Sequence, residues 1–189
     1  MNLANKLTLF RVVLVPFFIA ALMIEALPCN LLIALVIFAL ASLTDMLDGK
    51  IARKYNMITD FGKFLDPLAD KVLVAAALIC MAELHWAPSW AVWLIIAREF
   101  MVSGVRLVAS GSKDKVVIAA NIWGKLKTAA TMVAICVILI LRMLNSDFGI
   151  LTDLPTALIG DILIYICTAL TVISGATYMW DYRGYLKAK

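Results

Sequence analysis

Charged residues are scarce in this sequence, at 16% of its 189 residues, whereas hydrophobic residues reach 64%. In a soluble domain of similar length, about a quarter of the residues are charged and about half are apolar. The composition therefore excludes an ordinary soluble domain and indicates an integral membrane protein. The sequence also lacks linkers rich in proline, glycine or serine and has no low-complexity tract. We therefore expect a single domain over residues 1–189.

Histidine and cysteine are also rare. His85 is the only histidine, and the four cysteines are widely spaced and form no CxxC pair. The cysteines are Cys29, Cys80, Cys136 and Cys167. Such spacing lacks the ligand pattern of a zinc site, and we interpret these cysteines as buried apolar residues.

Six apolar stretches approach the length of about 20 helical residues that crosses a bilayer. They lie at roughly 7–27, 31–52, 62–83, 90–110, 117–143 and 156–180. Backbone groups have no water partner in lipid, so these stretches should be helices. The sequence predicts an all-α membrane protein with six transmembrane helices. In the sixth stretch, Ser174, Gly175 and Ala176 predict a point of close helix packing.

Lysine and arginine residues concentrate near both ends of the chain, between spans 2 and 3, and between spans 4 and 5. The positive-inside rule therefore places both termini and these two connections in the cytoplasm. Lys6 and Arg11 precede an apolar run as in a signal peptide, but five further spans follow, so we expect the first helix to be retained. The net charge of +4 is explained by this bias and indicates no nucleic-acid partner. The expected location is the cell membrane, as a multi-pass protein.

The stretch DMLDGKIARKYNMITDFGKFLDPLAD, from Asp45 to Asp70, carries regularly spaced acids. Asp45 and Asp48 share a helical face, as do Asp66 and Asp70, and antiparallel packing of spans 2 and 3 would gather all four at the cytoplasmic ends of those helices. Four like charges need a cation, and oxygen ligands favour Mg²⁺, Mn²⁺ or Ca²⁺. Solvated loop acids are the alternative. That alternative explains Asp60, but not acids that end an apolar span.

The array reads D-x-x-D-G-x-x-A-R, followed by G, D and D, and it resembles the signature of the CDP-alcohol phosphotransferases at every fixed position. The resemblance implies that Asp45, Asp48, Asp66 and Asp70 hold divalent metal ions, two Mg²⁺ or Mn²⁺, with Asp70 also the general base. It implies a CDP-lipid pocket as well. The residues of that pocket would be Asn5, Thr8, Asp48, Gly49, Ala52, Arg53, Thr59 and Gly62.

Three further stretches are similar to motifs of one bacterial subfamily, the phosphatidylglycerophosphate synthases. They are N-x-x-T-x-x-R from residue 5, REFMVSGVR from residue 98 and GKLKT from residue 124. The resemblance implies a phosphorylated acceptor, sn-glycerol 3-phosphate, whose phosphate would be bound by basic residues. These would be Arg11, Arg98, Arg106, Lys125 and Lys127. The alternatives are helix capping for the first stretch, a structural ion pair of Arg98 with Glu99 between helices or at a dimer interface, and cytoplasmic anchoring for the lysines.

Members of the family transfer a phosphatidyl-type group from a CDP-linked lipid to an alcohol and release CMP. The implied reaction joins CDP-diacylglycerol and glycerol 3-phosphate, and the implied assembly is a homodimer. The same chemistry with inositol phosphate, phosphatidylglycerol or serine stays open, as do a divalent-cation transporter and a membrane scaffold. A transporter is disfavoured because the acids cluster at one end of two helices, with no matching acids at the midplane or beyond it.

Overall fold

The computed structural model describes the backbone over residues 3–55, 60–110, 122–151 and 154–186. Side chains are described over 8–44, 69, 71–105, 122–151 and 154–180. Within these ranges every regular element is an α-helix. The helices are α1 Leu3–Met23, α2 Asn30–Tyr55, α3 Asp60–Glu83, α4 Ser89–Ser110, α5 Ile122–Ser146 and α6 Thr156–Leu186. Each predicted stretch is thus confirmed as helical, although the first ends at Met23 rather than at 27. The predicted start of the fifth, at 117, lies outside the described residues.

The break between α3 and α4 shows why the helices end where they do. His85 adopts a left-handed backbone with φ of 56°, which stops the helix. The N–H of Trp86 then donates to the carbonyl of Met81 at 2.7 Å, and the N–H of His85 donates to that of Ala82 at 3.1 Å. This pair of bonds is the Schellman arrangement, which satisfies carbonyls left over at a helix end.

Helices α1 and α2 form an antiparallel pair. A stripe of α1 at helical spacing is buried, and Phe18 within it packs against Phe38 of α2, with ring centroids 5.7 Å apart. Helix α1 also packs against α3. Within the described residues α2 and α3 make few contacts with each other, so α1 joins them.

The other half of the bundle has helices of alternating direction as well. Trp90 of α4 stacks on Tyr165 of α6 at 5.9 Å, which fits two parallel helices. The guanidinium of Arg142, near the end of α5, lies 5.1 Å from the ring centre of Trp86. The start of α1, the end of α2, the start of α3, the end of α4, the start of α5 and the end of α6 therefore lie at one end of the bundle. We call this the motif end.

Every described helix exposes large apolar side chains, such as Phe17, Val36, Ile79, Trp93 and Val133. Water-soluble monomers rarely expose apolar surface on this scale. Helix α5 and the Thr156–Trp180 part of α6 are long and apolar enough to cross a membrane, and shorter apolar parts of α1 and α2 add to this. The fold agrees with a helical membrane protein, while the number of spans stays a prediction.

Candidate active site

The first motif of the sequence lies on the buried side of α1. Thr8 and Arg11 are 0% and 1% exposed. Arg11 precedes Phe18 by as many residues as Asp45 follows Phe38. Because antiparallel helices have the same rise of about 1.5 Å per residue, Arg11 lies level with the backbone of Asp45, and Thr8 is level with that of Asp48. Burial argues against simple capping or anchoring for this pair.

Helix α3 brings its own acidic positions to the same level. Val15 and Ile19 of α1 line a cavity together with Val72 and Ala76 of α3. Helices α1 and α3 are parallel, so the position one turn before Val15 on α1 is level with the position one turn before Val72 on α3. Arg11 therefore lies near the level of the backbone between Asp66 and Asp70. The backbone therefore brings the four aspartate positions to one height at the motif end.

Several predicted site residues have side chains outside the described part of the structure. Their helices are known, but their contacts are not. They are Asn5, Asp45, Asp48, Ala52, Arg53, Asp66, Asp70 and Arg106, with Gly49 and Gly62 in the same helical segments, whereas Thr59 lies wholly outside the described residues.

The donor chemistry of the four aspartates suits hard divalent cations. All four supply carboxylate oxygens, the ligands that Mg²⁺ and Mn²⁺ prefer. Among the side chains that the structure does describe, no group of three or more His, Cys, Asp or Glu residues could hold a metal ion. The aspartate array is therefore the candidate metal centre.

A second group of polar side chains joins four helices near the aspartates. We call it the Glu99 cluster and define it as Lys71, Arg98, Glu99, Lys127 and Ser174. Arg98 Nη1 lies 2.9 Å from Glu99 Oε1, and Lys127 Nζ donates to the same oxygen. Arg98 Nη2 donates to Ser174 Oγ on α6. Lys71 Nζ on α3 donates to the backbone carbonyl of Glu99 at 3.3 Å.

The charges of this cluster are largely removed from the surface. The side chain of Lys127 is 2% exposed, that of Arg98 11% and that of Glu99 23%. Removing one member of a buried ion pair costs about 3–5 kcal/mol, because its partner is left uncompensated. Arg98 and Lys127 share Glu99 as their anionic partner, so loss of this carboxylate would leave both cations uncompensated. The ion pair that was the alternative for Arg98 and Glu99 is present, and it also includes Lys127. Phosphate binding by Arg98 stays a prediction.

The two lysines of the GKLKT stretch have different surroundings. Lys127 is buried in the Glu99 cluster, whereas Lys125 is exposed. Two residues advance the helix by about 200°, so the two side chains leave α5 on nearly opposite sides. The structure brings Lys127 to the cluster and does not bring Lys125 there. The position of Lys125 fits the alternative of cytoplasmic anchoring.

Three contacts of Arg98 were not found from the sequence. Ser174 accepts its hydrogen bond, and a Cβ on Gly175 would lie 3.3 Å from Arg98 Cγ. A Cβ on Gly124 would lie 3.8 Å from Arg98 Nη2. The Ser-Gly pair was predicted to be a close-packing point, and here the neighbour that packs closely is an arginine side chain. The feature of the sequence that could have indicated these contacts is the presence of small residues, Ser174 and Gly175 on α6 and Gly124 on α5.

A cavity of about 490 Å³ opens between α1, α3 and α4. Apolar side chains line most of it, including Ile19, Ile79 and Phe100. Lys71 and Glu83 are its charged lining residues, twelve residues apart on α3. The cavity therefore follows α3 for about 18 Å, starting one residue after Asp70.

A family model and individual relatives both match this chain. A family model described as CDP-alcohol phosphatidyltransferase matches residues 1–175, which include all five members of the Glu99 cluster and the whole aspartate array. A Bacillus subtilis (strain 168) protein is 42% identical over 192 aligned residues, covering 96% of this chain and 93% of that protein. It is named CDP-diacylglycerol–glycerol-3-phosphate 3-phosphatidyltransferase.

Two further relatives carry the same name. The one from Rickettsia bellii is 38% identical over 177 residues, covering 94% of this chain and 93% of the relative. The one from Haemophilus influenzae is 44% identical over 141 residues, covering 71% of this chain and 73% of the relative. With a matching family model over most of its length and relatives at this level of identity, the chain belongs to the CDP-alcohol phosphatidyltransferase family.

Proposed function

We propose that this chain transfers a phosphatidyl group from CDP-diacylglycerol to sn-glycerol 3-phosphate, forming phosphatidylglycerophosphate and releasing CMP. Support comes from the names of its relatives, which state this donor and this acceptor. It also comes from two neighbouring kinds of site: a carboxylate array suited to metals, and a cluster of buried cations suited to a phosphate.

One contact supports the proposal most directly. Lys71 directly follows Asp70 on α3, and its ammonium donates to the backbone of Glu99. This contact joins α3, one residue after Asp70, to the backbone of Glu99, and it supports a site shared by the proposed general base and the cations Arg98 and Lys127. Glycerol 3-phosphate needs both features, because its hydroxyl must lose a proton while its phosphate needs cations.

In the proposed mechanism the carboxylate of Asp70 accepts the proton of the acceptor hydroxyl. The hydroxyl oxygen forms a bond to the β-phosphorus of the donor, and the bond from that phosphorus to the bridging oxygen breaks, which frees CMP. Asp45, Asp48, Asp66 and Asp70 would hold two divalent ions. When bound, these ions supply positive charge that neutralises the diphosphate and the departing CMP.

The remaining residues would bind the two substrates. Thr8, buried at the level of Asp48, would contact the CDP head group together with Asn5, and the small residues of the array would leave room for it. The small array residues are Gly49, Ala52 and Gly62, and Arg53 and Thr59 would line the same pocket. Arg11, Arg98, Arg106 and Lys127 would bind the phosphate of the acceptor through charge-assisted hydrogen bonds. Lys125, exposed on α5, would contribute only by long-range attraction.

One acyl chain of the donor would occupy the apolar cavity between α1, α3 and α4. The cavity begins beside Lys71, so a lipid there would have its head group at the aspartates. The protein would cross the cell membrane six times, as a homodimer, with both termini and the site on the cytoplasmic side. The alternating helix directions support this arrangement, because they put the start of α1 and the end of α6 at the same end.

The direct test is CMP release by the purified chain in lipid vesicles containing CDP-diacylglycerol. Glycerol 3-phosphate, glycerol, inositol phosphate, serine and phosphatidylglycerol are offered separately, each with Mg²⁺ or Mn²⁺. We expect release with glycerol 3-phosphate and about a hundredfold less with glycerol, because binding sites for a charged group strongly reject an analogue that lacks it. Chelation of the metal should stop turnover. Preference for another alcohol would contradict the proposed acceptor.

A further inference from the structure

Glu99 is an anion placed between two cations that the proposed function assigns to an anionic substrate. A carboxylate cannot itself attract a phosphate, so its position among these cations calls for another role. Both Arg98 Nη1 and Lys127 Nζ donate to the same oxygen of Glu99. The carboxylate therefore fixes the two cations relative to each other.

Arg98 is held in an unusual direction for a residue next to its ion-pair partner. Adjacent residues on a helix point about 100° apart and do not normally face each other. The guanidinium nevertheless reaches Glu99 through Nη1, while Nη2 donates to Ser174 on α6. Gly175 leaves the space through which the aliphatic part of Arg98 passes, since an added Cβ would approach Arg98 Cγ to 3.3 Å. Contacts from two helices therefore fix one conformation of Arg98.

Lys127 depends on Glu99 in a similar way. Its side chain is long, has many rotamers and is 2% exposed. A buried ammonium stays in place only when an anion or several acceptors compensate its charge. Glu99 supplies that charge before any substrate is present, which keeps Lys127 in the cluster. Binding sites gain affinity when such groups are already ordered in the free protein.

We propose that Glu99, together with Ser174 and Gly175, is a positioning residue that holds Arg98 and Lys127 ready for the phosphate monoester of a small alcohol acceptor. The inference rests on the proposed function, since it assumes that these two cations bind the acceptor. It adds the residues that make the pocket selective for a phosphorylated alcohol. The backbone bond from Lys71 to Glu99 connects this pocket to the helix of Asp70.

The main test compares Glu99→Gln with the unchanged protein. Glutamine keeps the size of the side chain and one acceptor oxygen but removes the negative charge. We expect the KM for glycerol 3-phosphate to rise by about tenfold or more, while the KM for CDP-diacylglycerol stays within about twofold, because only acceptor binding is disturbed. Glu99→Asp, which retains the charge, should recover part of the loss.

A second pair of variants tests whether the space that Gly175 leaves beside Arg98 is needed for acceptor binding, and it changes no charge. Gly175→Ala places a methyl group against Arg98 and should also raise the KM for glycerol 3-phosphate selectively. Its matched control is Gly160→Ala on the same helix, where the added Cβ would meet Ile138 and the backbone of Trp86 at an ordinary 3.8 Å. That control should leave both KM values unchanged. Ser174→Ala removes the hydrogen bond to Arg98 Nη2 and should likewise raise the KM for glycerol 3-phosphate.

A purely structural ion pair gives a different result. In that case Glu99→Gln and Gly175→Ala lower the temperature of unfolding but leave the ratio of the two KM values unchanged, which overturns the proposal. Equal rises in the KM values for the two substrates also overturn the proposal. A lower KM for glycerol 3-phosphate overturns it as well, because Glu99 would then compete with the phosphate for the two cations. If Glu99→Gln does not fold, Gly175→Ala and Ser174→Ala decide the question. Turnover of the unchanged protein with glycerol 3-phosphate, measured in the same assay, tests the proposed function separately.

Discussion

Buried polar residues at the motif end are the most informative single positions in this chain. Thr8, Arg11, Lys127 and Ser174 are each at most 2% exposed, although they carry charges or hydroxyl groups. In a bilayer such groups are costly unless they pair or face a polar cavity. Lys127 pairs with Glu99, and Ser174 accepts from Arg98. Burial of this kind concentrates at the end of the bundle where the aspartates also lie.

At the residue scale, Asp70→Asn should abolish catalysis without unfolding the protein. Asparagine cannot take the proton of the acceptor hydroxyl, and loss of a general base typically lowers the rate by about 10²–10⁴-fold. The measurement is kcat from CMP release, beside the thermal unfolding of the purified variant. Asp60→Asn, at the first position of α3, is the matched control and should retain activity. Near-normal kcat in Asp70→Asn would remove Asp70 from the mechanism.

The sequence predicted these residues unevenly, for a physical reason. Spacing within one helix indicates which side chains share a face, so it predicted the acidic pairs, whose side chains lie outside the described part of the structure. The Arg98–Glu99 stretch was predicted from its resemblance to a subfamily motif. Contacts between helices depend on rotation and register, which a single sequence does not contain. Lys71 and Ser174 were therefore missed as partners, and Lys125 was grouped with Lys127 although the two point to opposite sides of α5.

At the scale of elements, hydropathy located the helices better than it located their ends. The second stretch was predicted to end at 52 and the third to begin at 62, whereas α2 ends at Tyr55 and α3 begins at Asp60. An apolar run marks the part of a helix inside lipid, but backbone hydrogen bonding continues into the polar turns beyond it. The breaks at Pro28, Pro88 and Pro155 were easier, because each of these prolines lies in a short polar or turn-forming stretch. Proline alone does not end a helix in this protein, since Pro16 lies inside α1.

The cavity between α1, α3 and α4 leads to a prediction at this scale. Ala76→Trp places an indole among its lining residues and should raise the KM for CDP-diacylglycerol by about fivefold, with little effect on the KM for glycerol 3-phosphate, because it competes with the acyl chain alone. The control is Val133→Trp on α5, where an exposed side chain faces away from the cavity. Equal behaviour of the two variants would mean that the donor lipid lies elsewhere.

At the scale of the whole molecule, charge and apolar surface are arranged along the bundle axis. The apolar side chains exposed on all described helices suit contact with lipid around the bundle. The acidic array lies toward the motif end, and the Glu99 cluster lies next to it, near the middle of α3 and α4. A water-soluble acceptor and a lipid donor can then meet at the membrane surface, with no need for the acceptor to cross the bilayer. The distribution of lysine and arginine predicts that this end faces the cytoplasm.

Cys29 allows that orientation to be tested. It lies between α1 and α2, away from the motif end, and is exposed, so the prediction that it is buried is wrong. Cys80 and Cys167 are buried as predicted, and Cys136 is partly buried. In intact bacterial cells, a membrane-impermeant maleimide should label Cys29, and Cys29→Ser should remove that label. In the Cys29→Ser background, Lys189→Cys should be labelled only after the cells are lysed, because the positive-inside rule places the C-terminus in the cytoplasm. Labelling of Lys189→Cys in intact cells would reverse the orientation and would put the proposed site on the wrong side for a cytoplasmic acceptor.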